Sequence, residues 1–405
     1  MTTTSGFLKL NAPWLSAGAL LTLLSSFGQT FFISLFAADI RLSFDLSHGE
    51  WGGLYSLGTT ASAIIMIWAG GLVDHFRVRS LGACVLAALS LACVMMALNP
   101  YVWALPIVIF ALRFTGQGML SHIAVVAMAR WFVATRGRAL SIAGLGFKFG
   151  EAVLPIAFVA LLAIVDWRVL WGVAAAISLA GIPVLLMLLT KERTPQSMAH
   201  ESPKLGMGGL NWTRKDTLVH PLFWLMIPAL LGPSAFNTAF FFLQVHFAEI
   251  KGLSHLSLVK LFPIYTIVSI IAMGASGWGL DKWGTARLMP FFQIPMVAAF
   301  LCFAFSQSLM LLMVGFVFLA LTAGAGATLP AAFWAEFYGT KYIGSIKALA
   351  AAVMVLGSAI GPGITGILID LGIGLETQFI AIAVYFVAAS ILIWIGIKRY
   401  SPALT

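Results

Sequence analysis

Three ionisable side chains lie deep within long apolar stretches in the first half of the sequence: Arg113, Lys148 and Glu151. If these stretches cross a bilayer, an unpaired charge near mid-depth costs at least about 2.5–3.5 kcal/mol, so each side chain must face protein or a water-filled cavity. On an α-helix, Gln117 shares a face with Arg113 at i+4, and Glu151 lies near Lys148 at i+3. The spacing predicts a polar cluster of Arg113, Glu151 and Lys148 that binds a charged group or carries a proton.

Two interpretations of this cluster follow from its charges. Two cations and one anion leave one positive charge in excess, which favours an anionic substrate such as a small carboxylate. Glu151 is the only acidic residue that we expect deep within an apolar run. It is therefore the candidate proton carrier, and protons are an expected partner. The alternative is a static network of buried ions that holds two helices together.

The elements that must position these residues are membrane helices. The chain has 405 residues, of which 61% are hydrophobic and 9% charged, and its mean hydropathy is +1.01. Alternating strand patterns are absent, so a helical bundle rather than a barrel must satisfy the backbone polar groups. Roughly 20 apolar residues make one spanning helix. The sequence predicts an all-α integral membrane protein with twelve such runs: 13–38, 50–73, 80–98, 102–130, 137–162, 168–190, 221–247, 257–279, 286–306, 308–335, 342–369 and 376–397.

The net charge of +9 has an explanation that needs no nucleic acid. With the N-terminus in the cytoplasm, most Lys and Arg residues between the apolar runs fall on the cytoplasmic side, as the positive-inside rule requires. We therefore expect a multi-pass protein of the cytoplasmic (inner) membrane, with the lipid bilayer as a partner and both termini in the cytoplasm.

The chain carries two copies of one unit. The stretch LYSLGTTASAIIMIWAGGLVDHF (54–76) aligns without a gap with LFPIYTIVSIIAMGASGWGLDKW (261–283). FGQTFF with FNTAFF, and LGFKFG with LGSAIG, repeat at nearly the same spacing. Such echoes indicate an internal duplication of six helices. The predicted organisation is a six-helix bundle over 1–190, a polar cytoplasmic linker over 191–219 and a second six-helix bundle over 220–405.

Several motifs resemble the major facilitator superfamily. GGLVDHFRVR and GWGLDKWGTAR resemble its repeated loop signature, RFTGQG its helix 4 motif and GSAIGPGITG its Gly-Pro motif. The resemblance covers the whole chain and extends distantly to bacterial relatives of monocarboxylate and oxalate/formate carriers. It implies a secondary active transporter with two parallel six-helix repeats, which moves a small organic solute by alternating access. The substrate site of such a fold lies near the membrane midplane between the repeats.

The resemblance also implies a conformational latch in the repeated loop. In the superfamily this loop holds the outward-open state, and the ungapped alignment sets Asp74 opposite Asp281. The alternative is a solvated loop that only obeys the positive-inside rule. The expected latch residues are Asp74, Arg77, Arg79, Asp281 and Lys282.

Helices 1 and 7 line the cavity in this superfamily, and they offer amide and hydroxyl side chains. Asn237 and Gln244 are seven residues apart, hence on one face of a helix. Ordinary interhelical hydrogen bonding is the alternative role for such groups. The candidate lining residues are Gln29, Thr30, Asn237 and Gln244.

One late apolar run is rich in glycine, which allows close helix packing and, with proline, a kink. The residues expected to serve this conformational role are Gly357, Gly361, Pro362 and Gly366.

Enzymatic function classes find no support in the sequence. It has no metal-ligand spacing, nucleophile elbow or phosphate-binding loop, so we expect no enzyme activity, metal or cofactor. We expect a monomer with a small-molecule substrate. Two alternatives stay open, namely a proton-driven exporter of lipophilic compounds and a non-transporting membrane receptor.

Overall fold

The computed structural model describes residues 4–132, 136–191, 205–339 and 341–401. Nearly all of these residues are helical and none is in a strand, which confirms the predicted all-α class. The helices of the first half are α1 (Thr4–Leu24), α2 (Thr30–Ile33), α3 (Ala37–Phe44), α4 (His48–Ala69), α5 (Leu72–His75), α6 (Val78–Leu98), α7 (Leu105–Leu112), α8 (Ser121–Trp131), α9 (Arg136–Leu162) and α10 (Trp167–Leu188).

The second half continues in the same helical manner. Its helices are α11 (Arg214–Val219), α12 (Pro221–Phe242), α13 (Gln244–Ile250), α14 (His255–Val259), α15 (Phe262–Trp283), α16 (Thr285–Leu288), α17 (Ile294–Phe305), α18 (Leu309–Gly326), α19 (Leu329–Tyr338), α20 (Ile343–Asp370) and α21 (Leu375–Tyr400).

The predicted apolar runs appear as helical segments of three kinds. Ten stretches of the described residues are long and apolar enough to cross a membrane unaided. The first run is a bent pair, Leu8–Gly28 and Thr30–Phe44, with 47° between its parts. The run 286–306 contains the shorter apolar helix α17. Together these segments account for the twelve runs, two of them in an irregular form that the composition did not predict.

The first compact unit consists of the described residues of Met1–Ser47, Gly53–His200 and Phe241–Val245. Within it α6 packs along α10, and α1 packs along α9. Phe32 is fully buried at its core. Its ring makes edge-to-face contacts with the rings of Phe27, Phe36, Phe158 and Trp171.

The second compact unit consists of the described residues of His48–Gly52, Glu201–Phe240 and His246–Thr405. Within it α15 packs along α18, and α17 contacts both α18 and α21. The rings of Phe240 and Phe303 stack with centroids 4.4 Å apart. Around them pack further buried rings, those of Phe247, Phe300, Phe316 and Phe379.

Helix 1 of the predicted bundle breaks at Gln29, whose backbone is extended (φ −86°, ψ 152°). The sequence before the break, SSFG, has low helix propensity. The Ser25 hydroxyl also donates to the Thr22 carbonyl, a local bond that competes with the helical ladder. The break matters for the site because it changes which backbone carbonyls accept hydrogen bonds.

A second irregularity follows α7. Residues Arg113–Leu120 form a π-helix, with i→i+5 rather than i→i+4 bonding. Four residues are close to one turn of a π-helix as well as of an α-helix, so this geometry does not separate Gln117 from the face of Arg113. The shared face of Arg113 and Gln117 stays a prediction.

Candidate functional site

Arg113 is the centre of a buried polar group in the first unit. Arg113 is 1% exposed. Nη1 donates to the Gly28 carbonyl at 3.3 Å and to Thr30 Oγ1 at 3.1 Å. The Tyr55 hydroxyl lies 2.6 Å from Thr30 Oγ1, and the Tyr55 ring centroid is 5.5 Å from Arg113 Cζ. We call Gly28, Thr30, Tyr55 and Arg113 the arginine cluster.

The break in helix 1 frees the carbonyl that Arg113 uses. In a continuous α-helix the Phe32 N–H would donate to the Gly28 carbonyl. Here the N–H groups of Phe32 and Ile33 both donate to the Gln29 carbonyl instead, each at 3.1 Å. The Gly28 oxygen is therefore available to the guanidinium.

Two glycines let the π-helix approach the break closely. A Cβ on Gly116 would lie 2.6 Å from Gly28 Cα, and a Cβ on Gly28 would collide with the Leu112 carbonyl oxygen. Real Cβ atoms do not approach so closely, so only glycine fits at either position. This contact sets the distance from which Arg113 reaches Gly28 and Thr30.

The charge of Arg113 has no neutralising partner among the described residues. In the described part of the chain, no carboxylate lies within salt-bridge distance of the Arg113 guanidinium. Nε is buried and has no hydrogen-bond acceptor there. Neutral oxygens and an aromatic face are its surroundings. A buried cation in such surroundings has unused capacity to bind an anion.

Lys148 and Glu151 form a separate ion pair on α9. Lys148 Nζ lies 2.7 Å from Glu151 Oε2, with the Glu151 residue buried and Lys148 partly exposed. Lys148 Nζ is also 5.5 Å from the Phe147 ring centroid. The predicted i+3 neighbours thus meet. The structure differs from the predicted three-residue cluster because Arg113 turns to Gly28 and Thr30 instead of Glu151.

The four lining candidates occupy different environments. Gln29 is the half-buried residue of the helix break, and Thr30 accepts from Arg113. Asn237, on α12 in the second unit, has a buried Oδ1 without a hydrogen-bond donor among the described residues. Gln244 is fully buried, and its Nε2 donates to the Phe31 carbonyl at 3.0 Å and to Ser34 Oγ at 2.7 Å.

The helix that carries Asn237 and Gln244 is interrupted between them. α12 ends at Phe242 and α13 begins at Gln244. The seven-residue spacing assumed a continuous helix, so it no longer fixes a shared face, and the shared face stays a prediction. Gln244 belongs to the first unit, whereas Asn237 belongs to the second.

The latch candidates are only partly described. Asp74 lies on the short helix α5 and Asp281 near the end of α15, but both side chains lie outside the described residues. The side chains of Arg77 and Arg79 are exposed. Lys282 is exposed as well, and it lies over two tryptophan rings.

The glycine-rich helix α20 contacts its neighbours through backbone. A Cβ on Gly357 would lie 2.7 Å from the Leu231 carbonyl oxygen, and one on Gly361 would collide with the Ala235 carbonyl oxygen. A Cβ on Gly366 would collide with the His48 carbonyl oxygen. Pro362 lies within the same helix.

Sequence reasoning missed two residues of the polar groups in the first unit. Tyr55 is fully buried and bonds Thr30, and Ser34 Oγ lies 2.7 Å from the Phe241 carbonyl oxygen. Neither residue stands out in the sequence, because single hydroxyls are common in apolar runs. The only sequence signal for these two residues would have been a polar side chain at the position of a helix break.

A comparison with protein families assigns this fold. The model of the Major Facilitator Superfamily matches residues 18–306, which is more than half of the chain. The chain belongs to the Major Facilitator Superfamily. It is accordingly a multi-pass membrane transporter, and the resemblance to this superfamily seen in the sequence motifs is confirmed.

Solved structures of other facilitators share the fold of this facilitator over nearly its whole length. A bacterial homologue of the human lysosomal transporter Spinster, in an inward-facing and unoccupied conformation, has a TM-score of 0.71 at 16% identity. That alignment covers 97% of this chain and 98% of the other. The nucleoside transporter NupG has a TM-score of 0.70 at 14% identity, with coverage of 96% and 99%. No curated protein matches the sequence. The predicted major facilitator fold is confirmed.

Proposed function

We propose that this secondary transporter carries a small organic anion, with a carboxylate favoured, across the cytoplasmic membrane by alternating access. The observation that carries the proposal is the buried Arg113 guanidinium. Its described contacts are neutral oxygens and a tyrosine ring, and its Nε has no acceptor among the described residues. A planar guanidinium binds carboxylates through two parallel hydrogen bonds, so a carboxylate would supply both the charge and the acceptors.

We further propose that transport is coupled to protons through Glu151. Glu151 is buried and forms an ion pair with Lys148, so its protonation would add one positive charge to this part of the membrane helix. A net charge there is costly, so protonation is favoured when a bound anion offsets it. Proton uptake and anion binding would then support each other.

The latch assignment also remains a proposal. Arg130 Nη1 donates to the Val73 carbonyl at 2.9 Å, which ties α8 to α5 beside Asp74. This bond supports a role for the loop in holding one conformation. We propose that the latch comprises Asp74, Arg77, Arg79, Asp281 and Lys282, and that both termini face the cytoplasm.

The experiment is counterflow in proteoliposomes at uniform pH. The panel comprises labelled monocarboxylates, dicarboxylates, amino acids, nucleosides and a lipophilic cation. We expect exchange of a carboxylate by the unmodified protein and none by Arg113→Gln, with Lys260→Gln as the control cation on an exposed position. Movement of the lipophilic cation alone, driven by a pH gradient, would instead establish the exporter. Binding without exchange of any solute would establish a receptor.

A further inference from the structure

The end of α15 carries an exposed basic and aromatic cleft. Lys282 Nζ lies 5.1 Å from the Trp278 ring centroid and 5.4 Å from that of Trp283. The two indoles meet edge to face with centroids 5.4 Å apart. Trp278 is 60% exposed and Trp283 42%. Neither indole N–H donates to another group in the part of the chain that the structure describes, so both indole donors remain available to a ligand beside the Lys282 ammonium.

The position of this cleft along α15 corresponds to the headgroup region of a bilayer. The sequence of this membrane-spanning stretch has no charged residue from Leu261 to Leu280, and Asp281 and Lys282 follow directly. Tryptophan is enriched at this depth because its ring is apolar and its N–H is polar. A lysine here meets lipid phosphates rather than acyl chains.

An exposed apolar stripe leads along α15 to the cleft. Ile267 is 58% exposed and Ile271 64%, and Trp278 continues the same face. Between them a Cβ added to Gly274 would meet no atom within 4 Å, so the stripe has a shallow notch. Lys282 follows Trp278 by four residues and closes the stripe. This arrangement provides an apolar track for a hydrocarbon chain that ends at a cation.

The first repeat lacks the same cleft. In the ungapped alignment of 54–76 with 261–283, Gly71 stands opposite Trp278, His75 opposite Lys282 and Phe76 opposite Trp283. The duplicated loop therefore has one aromatic ring and no permanent cation at these positions. The cleft is a property of the second copy and not of the shared fold.

We propose that Lys282, Trp278 and Trp283 bind the phosphate headgroup of an anionic phospholipid, with one acyl chain along Ile267, Ile271 and Gly274. The lysine ammonium supplies the charge, and the indole N–H groups supply further donors to phosphate oxygens. The acyl chain distinguishes a lipid from free phosphate, because free phosphate has no use for the apolar stripe. The site is independent of the proposed anion site in the first unit.

The test is lipid competition on the full-length protein, measured by native mass spectrometry. Phosphatidylglycerol is titrated against phosphatidylcholine with identical acyl chains. Lys282→Gln should weaken phosphatidylglycerol binding about fivefold, the effect of one basic residue at an anionic surface. Lys282→Arg should retain it. The control is Lys398→Gln, which removes a cation that pairs with the single ring of Trp394.

Two further measurements, on a second variant and with soluble phosphates, also test the proposal. Trp278→Ala keeps the lysine and should also lower the preference for phosphatidylglycerol. Inorganic phosphate or glycerophosphate at millimolar concentration should not displace the lipid, and displacement would assign the site to a free phosphate. Equal binding by Lys282→Gln and the unmodified protein would overturn the proposal. Equal losses in Lys282→Gln and Lys398→Gln would overturn it too, since they would indicate general surface attraction.

Discussion

Among the described buried residues, the charged ones lie in the first unit, whereas the second unit buries neutral amides and hydroxyls. Arg113 and Glu151 are at most 6% exposed. The buried polar side chains of the second unit include Gln293, Thr322 and Gln378. The two units, whose sequences indicate a duplication, therefore differ in the charge of their buried residues.

The alignment of the repeats shows where the difference arises. With LGFKFG set on LGSAIG, Lys148 falls opposite Ala359, and Glu151, one residue past the motif, falls opposite Pro362. One copy thus carries an ion pair where the other carries a small residue and a helix-bending proline. We infer that duplication preserved helix packing while charge and conformational flexibility were assigned to different copies.

The largest expected effect is at Arg113. Arg113→Ala should lower transport more than about 100-fold, because a charged hydrogen bond and the only unneutralised buried cation found among the described residues would be lost. Asn237→Ala in the second unit should cost at most about tenfold, as expected for one neutral hydrogen bond. Initial rates in proteoliposomes give both numbers. A larger loss at Asn237 would move the binding centre to the second unit.

Glu151 separates energy coupling from substrate movement. Glu151→Gln mimics the protonated side chain permanently, so it should abolish accumulation against a gradient while exchange at uniform pH persists within about threefold. Uptake with and without a pH gradient, alongside counterflow, measures the two activities. Accumulation by Glu151→Gln under a proton gradient would reduce Glu151 to one half of a structural pair with Lys148.

Close glycine contacts occur in both units and should be equally sensitive. Gly28→Ala and Gly361→Ala each place a methyl group against a backbone carbonyl, which costs about 1–3 kcal/mol by overpacking. Gly277→Ala is the control, because its added Cβ meets nothing within 4 Å. Thermal unfolding in detergent measures the differences. If only one of the two variants were destabilised, packing would not be the shared property of the two copies.

The repeated loop offers a smaller test of the same comparison. Asp74→Asn should shift the conformational population toward the inward-open state severalfold without unfolding the protein, since a single surface ion pair contributes about 1 kcal/mol or less. Asp281→Asn is its counterpart in the second copy. Cysteine accessibility from the two membrane sides reports the population. An unchanged cysteine-accessibility pattern in both variants would contradict the latch assignment.

The smallest effect concerns a histidine at the edge of the second unit. His220 Nδ1 lies 3.2 Å from the Tyr338 hydroxyl, and its ring packs at 4.7 Å on Trp212 and 4.6 Å on Tyr400. Burial lowers the pKa of His220 below its ordinary 6.5. Its folded environment disfavours the proton, so its contribution is complete above pH 6.5 and declines as the pH falls below that value.

The measurement is the unfolding midpoint at pH 7.5 and pH 5.5. The unmodified protein should lose about 2 °C or less relative to His220→Gln, which cannot titrate. The variant cancels the contributions of all other groups. An equal pH dependence of the two proteins would show that the titration of His220 does not contribute to the stability of the second unit.

The sequence predicted those features that depend on local spacing. The apolar runs, the duplication and the i+3 meeting of Lys148 with Glu151 all follow from composition or helical geometry. The position of Arg113 does not. It depends on the contact between Gly28 and Gly116, which join helices far apart in the chain. No local pattern records such a contact, and without it the partners Thr30 and Tyr55 could not be derived.

The same limit explains the two interrupted helices. Gln29 and the junction between Phe242 and Gln244 lie inside runs whose overall hydropathy is high, so hydropathy predicts continuous spans. The interruptions are stabilised by tertiary hydrogen bonds, such as that from Gln244 to Ser34. A hydropathy profile measures transfer into the membrane and not the path of the backbone within it.

The π-helix Arg113–Leu120 also affects how the chain tolerates a change in length. A π-helical turn holds more residues than an α-helical turn, so this segment behaves like an α-helix with a residue inserted. Deleting one residue between Thr115 and Gly118 would let the segment relax to α-helix and keep α8 in phase. The same deletion within α7 would rotate every later residue of the span by about 100°. We therefore expect this span to accept a shorter chain within the π-helix and not within α7.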